Sequence, residues 1–587
     1  MSLATTLSQI FGDAFASQGL DRAYGTVVVS ARPDLAQFQC NGAMAAARDA
    51  RKNPRGVAQG VLDSLADTSP FAELTLAGPG FINITLTDDY LASSVDSLDE
   101  ATGFGAAQQD VKRMVIDYGG PNMAKELHVG HLRPAIIGES IKRIFRFLGH
   151  DVVGDVHLGD WGTPYGQLIV ELSDRQPDLP YFDEERVDGY PAEPPVTIED
   201  LQELYPEAAA RAKVDEDFAA RARAAVVELH RGRPGYRALW QHFRDESIEA
   251  IKSVYDRLGV DFDLWNGEST INYRLESMTK RLFDDGYAIE SNGALVVEVM
   301  TDEDTKEIPP FILLKSDGAS LYTTWDLATI EERVEDLKAT EIIYIVDVRQ
   351  SLHFEQVFRV AYKTGIASEA VVLDHSGNGT VNGPDGKPFK TRDGGLLRLR
   401  DLIDLVVARA ADRIEENELA AHFDEQEKAT IAEKVGLAAL KYGDLQNHRS
   451  SNYMFDIERF TSFDGKTGPY LLYGAVRMMS VLREAGSRGL QSGPVVPAVR
   501  EQERNLMLQL TRLPEAVARA AEHRAPNHIA EYTYELVADF SRFYEACHIL
   551  REPDTARQSS WLHLVETSLA ELKLLLDLLG IEVPVRM

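Results

Sequence analysis

Helix-like and strand-like apolar spacings alternate over the first ~110 residues, where Tyr24–Ala31 (YGTVVVSA) and Glu73–Leu86 (ELTLAGPGFINITL) predict strands. This pattern predicts a small α/β unit over residues 1–110. Lys112–Tyr118 (KRMVIDY) then reads as a short buried strand, Gly119–Asn122 as a turn, and His131–Gly149 as a helix with apolar residues at helical spacing. Asp151–Leu158 follows as another strand, which completes a βαβ unit. Such units imply a doubly wound parallel sheet with its ligand crevice at the C-terminal strand ends. Gly293–Met300, Glu341–Val348 and Glu369–His375 supply further predicted strands. A polar, acidic stretch between about Leu168 and Asp263 reads as an insertion into this α/β domain, which is expected over residues 111–400. From Asp401 to the end only helix patterns occur, so residues 401–587 are expected to form an all-α bundle.

A length of 587 residues is too great for one core and fits several domains. Apolar residues make up 44%, and no uncharged run of about eighteen occurs, which argues against a membrane span. The first residues lack the basic and apolar regions of a signal peptide, and a cytoplasmic location is expected. With two cysteines, Cys40 and Cys547, no cysteine-rich zinc site can form. The formal charge of −32 argues against a nucleic-acid partner as a whole-surface statement. Local basic clusters qualify it: Lys112, Arg113, Lys125, Arg133, Lys142, Arg143 and Arg146 form one, and Lys387, Lys390, Arg392, Arg398 and Arg400 another.

Candidate chemistry centres on Pro121–Arg133 (PNMAKELHVGHLR), where His128 and His131 flank the predicted helix start. A metal reading needs more ligands than this spacing offers, and none is expected. Gly130 between them fits poorly with plain core packing, because glycine weakens a helix and marks close approach of backbone or ligand. A strand, a Gly-Gly-Pro turn and a helix N-terminus instead make an anion site, with free N–H groups and the helix dipole facing a phosphate. Two imidazoles there can donate to phosphate oxygens. Asp464–Thr467 (DGKT) imitates the end of a P-loop, but Phe460 stands where its first glycine belongs. No GxGxxG follows a strand.

The HVGH stretch after a strand is similar to the HIGH signature of class I aminoacyl-tRNA synthetases. Its surroundings through DVHLGDWGTPYGQLI resemble the arginyl branch of that family. The resemblance runs along almost the whole chain, through FQCNGAMA, GPGFINI, SLYTTWDLA, YIVDVRQSLHFEQVF, GKPFKTRDGG, GPYLLYGAVR and LLGIEVPVRM. It implies that L-arginine and ATP, with Mg2+, give arginyl-adenylate and pyrophosphate, and that arginine then passes to the terminal ribose of an arginine tRNA. A monomer is expected.

By the same resemblance His128 and His131 stabilise charge on the phosphates, and Gly130, Gly159 and Asp160 contribute to ATP binding. The chain departs from the KMSKS signature: Lys390 and Arg392 stand in the matching stretch, and Lys125 occupies the place where the family compensates with a lysine. Asp117, Asn122, Tyr322, Asp326 and Gln350 match positions that hold arginine, with His128 near its α-amino end. A guanidinium suits carboxylates in fork geometry. Asp326 also reads as a helix N-cap, Tyr322 as core and Asn122 as turn chemistry. For tRNA, the resemblance points to Phe81 and Asn83 at the elbow of the molecule, and to Tyr470, Tyr473 and Arg477 for the anticodon. The last three fall at i, i+3 and i+7 on one helix face, a spacing equally suited to core. Leu472 stands where the family usually has glutamine.

Overall fold

The computed structural model describes residues 2–32, 34–106, 109–123, 125–316, 318–383, 386, 387, 389, 397–417 and 422–587. Lys390 and Arg392 lie outside the described residues. Two compact units emerge, one formed by Met1–Gln109, Glu418–Ala438 and Ser462–Met587, the other by Asp110–Asn417 and Ala439–Thr461.

In the first unit, strands β1 (Val27–Val29), β2 (Phe38–Cys40), β3 (Phe71–Ala77) and β4 (Phe81–Leu86) form an antiparallel sheet in the order β1-β2-β4-β3. Ile82, Ile84 and Leu86 are fully buried at alternate positions of β4. One side of that strand therefore carries the core of the sheet. The remainder of the unit is helical, with Gly468–Ser487, Asn527–Ala546 and Thr555–Leu578 packed on one another through Leu471, Phe540, Leu572 and their neighbours.

The second unit is built on β5 (Arg113–Tyr118), β6 (Asp151–Asp155), β10 (Glu341–Ile345) and β11 (Val372–His375), all parallel, in the order β11-β10-β5-β6. Met114, Val115, Ile116, Ile342 and Ile343 have no exposure, as expected for strands covered on both faces. Truncating one of them, for example Ile342→Ala, costs about 2–5 kcal/mol. Because β6 lies on one side of β5 and β10 on the other, the chain reverses its winding between β5 and β10. A crevice opens at that point, beyond the carboxyl ends of both strands.

The Gly293–Met300 run does form a strand, but in a different sheet. β7 (Ile289–Ser291), β8 (Ala294–Val297) and β9 (Phe311–Leu314) make a separate antiparallel sheet. An apolar run specifies that a segment is buried and extended; it does not name the partner strand. The polar stretch after Leu168 is helical, comprising Thr163–Arg175, Ile198–Arg211, Glu216–His230 and Pro234–Arg257.

Candidate active site

Residues Val129–His131 form a single 3-10 turn that leads into the helix Leu132–Phe147. Nδ1 of His128 accepts the backbone N–H of Gly130 at 3.0 Å, and Nδ1 of His131 accepts the backbone N–H of His128 at 3.0 Å. A ring nitrogen that accepts cannot carry the hydrogen, so each neutral imidazole bears its proton on Nε2. Burial pushes both rings below the ordinary histidine range, His131 to about 3, and Lys125 adds to the shift of each. Both are therefore neutral near pH 7 and keep one N–H donor apiece. Their centroids lie 4.1 Å apart. A Cβ on residue 130 would come within 2.8 Å of the His128 ring, which explains the glycine between them. The turn is tied to the segment after GKPFKTRDGG: Val129 donates to the Leu397 carbonyl at 2.9 Å, and Leu399 donates to that of Leu127 at 2.8 Å.

The crevice between β5 and β10 is a cavity of about 640 Å³, and Asp117, His128, Gly130, His131, Asp326 and Gln350 all line it. Asp117 is the penultimate residue of β5 and accepts a 2.6 Å ion pair from Nη2 of Arg333, which also reaches Asp155 at 2.6 Å. Ligand atoms of Asp117, Asp155 and His157 lie within 4.8 Å of one another, a spacing suited to a cation. The Arg333 guanidinium supplies that positive charge to the two carboxylates. Asp326 is not an N-cap. The helix is Tyr322–Glu335, capped at Leu321 with the Thr324 hydroxyl accepting its N–H, and Asp326 lies beyond its first turn. Its Oδ2 sits 2.6 Å from Nε2 of His353. Tyr322 is not core either: it is 58% exposed, with its ring 4.9 Å from that of His353.

Other expected residues sit off the cavity. Lys125 rests with Nζ 4.9 Å from the Tyr205 ring, on the inserted helix Ile198–Arg211. Asn122 and Gly159 pair by backbone bridging, and a Cβ on Gly159 would collide with the Asn122 side chain. Asp160 is fully buried and accepts from Ser269 and Arg244.

In the first unit Phe81 is half-buried, and Asn83 is buried with its side chain accepting from Gln39 at 2.8 Å. Tyr470, Tyr473 and Arg477 do share a face of Gly468–Ser487. Arg477 stacks over Tyr473 at 4.7 Å and over Tyr544 at 5.5 Å, while Tyr470 packs near Tyr534 at 5.7 Å. Leu472 is fully buried, so that position offers no surface contact.

Residues 95–457 match the family described as tRNA synthetases class I (R), catalytic domain. Residues 1–86 match the Arginyl tRNA synthetase N terminal domain, and 471–587 the DALR anticodon binding domain. The arginine--tRNA ligase of Alkaliphilus oremlandii is 48% identical over the full length of both chains. The chain belongs to the arginyl-tRNA synthetase family. A second family member, the arginine--tRNA ligase of Maricaulis maris, is 47% identical, again over 100% of each chain. The crystal structure of the family member from Plasmodium falciparum has the same fold, with a TM-score of 0.80 at 24% identity over 100% of this chain and 99% of that one.

Three residues around the site escaped sequence reasoning. Arg333 sits in an acidic run, EERVED, that looks like a solvated helix face. His353 follows a serine-leucine pair with no spacing that marks it. Glu268 begins the helix Glu268–Asp284, where burial pushes its carboxyl up to about 8 with Asp160 and Asp326 adding to the rise.

Proposed function

We propose that this chain activates L-arginine with ATP and transfers it to the 3′-terminal ribose of an arginine tRNA. The single observation that carries the site assignment is the convergence of two neutral Nε2–H donors with Asp117 and Asp326 around one cavity at the sheet's reversal point. In the first step a carboxylate oxygen of arginine attacks the α-phosphorus, the bond to the bridging oxygen breaks, and pyrophosphate leaves. His128 and His131 donate to phosphate oxygens as charge grows there. In the second step a ribose hydroxyl attacks the acyl carbon and AMP departs. Asp326 and Asp117 are assigned to the guanidinium and Gln350 to the cavity wall, while Tyr322 and Asn122, which do not line the cavity, would have to reach the substrate from outside it. Lys125, Lys390 and Arg392 supply positive charge toward the phosphates, and ATP enters as its magnesium complex.

The unit of Asp110–Asn417 and Ala439–Thr461 is assigned to catalysis in place of the expected 111–400, residues 1–110 to the tRNA elbow through Phe81, and the helices of Ser462–Met587, rather than all of 401–587, to the anticodon through the Tyr473–Arg477–Tyr544 stack. Stacking of bases on aromatic and guanidinium planes is the common mode for unpaired RNA. Among the described residues no helix is long and apolar enough to cross a membrane. A cytoplasmic monomer fits the proposed role, to be checked by fractionation and light scattering. The decisive experiment is ATP–pyrophosphate exchange and tRNA charging with a panel of amino acids. Exchange with an amino acid other than arginine, and none with arginine, would overturn the assignment.

A further inference from the structure

The helix Tyr322–Glu335 carries Asp326 and Arg333 seven residues apart, hence on one face. Asp326 lines the cavity; Arg333 lies behind it with no exposure at all. One nitrogen of Arg333, Nη2, meets Asp117 and Asp155 at 2.6 Å each, and the guanidinium lies 5.2 Å from the Tyr344 ring centroid. We propose that Arg333 is a positioning residue for the arginine pocket: it neutralises Asp155 and keeps Asp117 an unprotonated carboxylate at the cavity wall, where the substrate cation meets it. This rests on the arginine-activating role proposed above.

Electrostatics favours this division of labour. Two buried carboxylates this close cannot both stay ionised without a cation; one takes up a proton. Burial already lifts the Asp117 carboxyl, Arg333 and His157 pull against that rise, and Asp155 adds to it. The other groups around the cluster are Tyr344 from β10, and Glu332 and Asp326 from the same helix as Arg333. None of these supplies a second guanidinium or ammonium. Without Arg333, the carboxylate pair keeps the same net charge only by sharing a proton, which occupies the oxygen the substrate cation needs. The substrate guanidinium then has to displace that proton to bind.

The test compares tRNA charging by the full-length wild type, Arg333→Met and Arg333→Met/Asp155→Asn, varying arginine at saturating ATP and tRNA from about pH 6.5 to about pH 8. Arg333→Met is expected to raise the KM for arginine about tenfold at the acid end, and the KM should fall as pH rises and the pair loses its proton. Its KM for ATP should be unchanged. The double variant removes one cation and one anion, and its arginine KM should return to within about threefold of wild type with the wild-type pH profile. An unchanged arginine KM in Arg333→Met would overturn the proposal. So would a raised KM that is independent of pH and not relieved by Asp155→Asn, since that is the mark of lost packing. If Arg333→Met does not fold, the double variant decides: a near-wild-type profile supports the proposal, and a KM raised about tenfold overturns it. A wild type that charges no arginine overturns the proposed function itself, whatever the variants do.

Discussion

Nδ1 of His131 accepts the backbone N–H of His128, so the same ring that caps the signature turn must point its proton-bearing Nε2 the other way. Structure and chemistry are thereby divided between the two nitrogens of one imidazole.

This division can be tested by asparagine. In His131→Asn the side-chain oxygen can still accept the His128 N–H, while the Nε2 donor is gone. Turnover is expected to fall by roughly 10²–10³, the cost of one preorganised donor, with a smaller change in arginine KM and an unchanged melting temperature. Steady-state charging assays read this directly, and wild-type turnover would remove the ring from the chemistry.

Asp326 sits 2.6 Å from His353 and lines the cavity, away from any capping position. Asp326→Asn keeps the volume and removes the charge. The expected result is a loss of at least about tenfold in kcat/KM for arginine, since breaking a buried charge pair costs about 2–5 kcal/mol, while ATP affinity holds. The same comparison made with citrulline, which lacks the cation, should show little further loss in the variant. Near-wild-type arginine kinetics would rule the carboxylate out as a guanidinium partner.

Lys125 rests on the Tyr205 ring and does not line the cavity. A site that needs this cation is incomplete until the lysine leaves the ring, an induced-fit arrangement. Pyrophosphate exchange with arginine is therefore expected to require tRNA, and Tyr205→Leu should raise the tRNA-free rate. A cation–aromatic contact of about 0.5–2 kcal/mol corresponds to an increase of about two- to thirtyfold. Full exchange by the wild type without tRNA would show that no such completion step exists.

Glu268 titrates at about 8 because burial disfavours its charged form. Its folded value lies above the unfolded one of about 4.5, so the folded state binds more protons between the two. Stability contributed by the neutral carboxyl is complete below about pH 4.5 and is lost as pH rises toward about 8, at up to about 1.4 kcal/mol per pH unit. Glu268→Gln removes this dependence. Its melting temperature relative to wild type should climb as pH increases through that window, as followed by thermal unfolding; a constant difference would place Glu268 in a solvated environment.

Much of this protein follows from short stretches of chain. The βαβ unit around Lys112–Leu158 is legible because periods of two and of 3.6 residues are local properties, and so are the helices after Asp401, although the expected all-helical stretch also contains the short strand Tyr453–Met454, paired with Val381–Asn382. The glycine of HVGH is legible as a point of close approach, but that the neighbour is the His128 ring, and not backbone or ligand, is decided by the folded turn. The strand Ala294–Val297 shows where locality ends: its apolar run says extended and buried, and only pairing with Phe311–Leu314 assigns it to a separate antiparallel sheet. The same limit applies to the site. Arg333 is separated from Asp117 by 216 residues and His353 from Asp326 by 27, and no spacing rule connects them. Their pairing arises when parallel strands bring β5, β6 and β10 side by side and the helix before β10 packs down on them. Tautomer and charge state follow from the same packing, because burial and hydrogen-bond partners set them, and both are properties of the assembled fold.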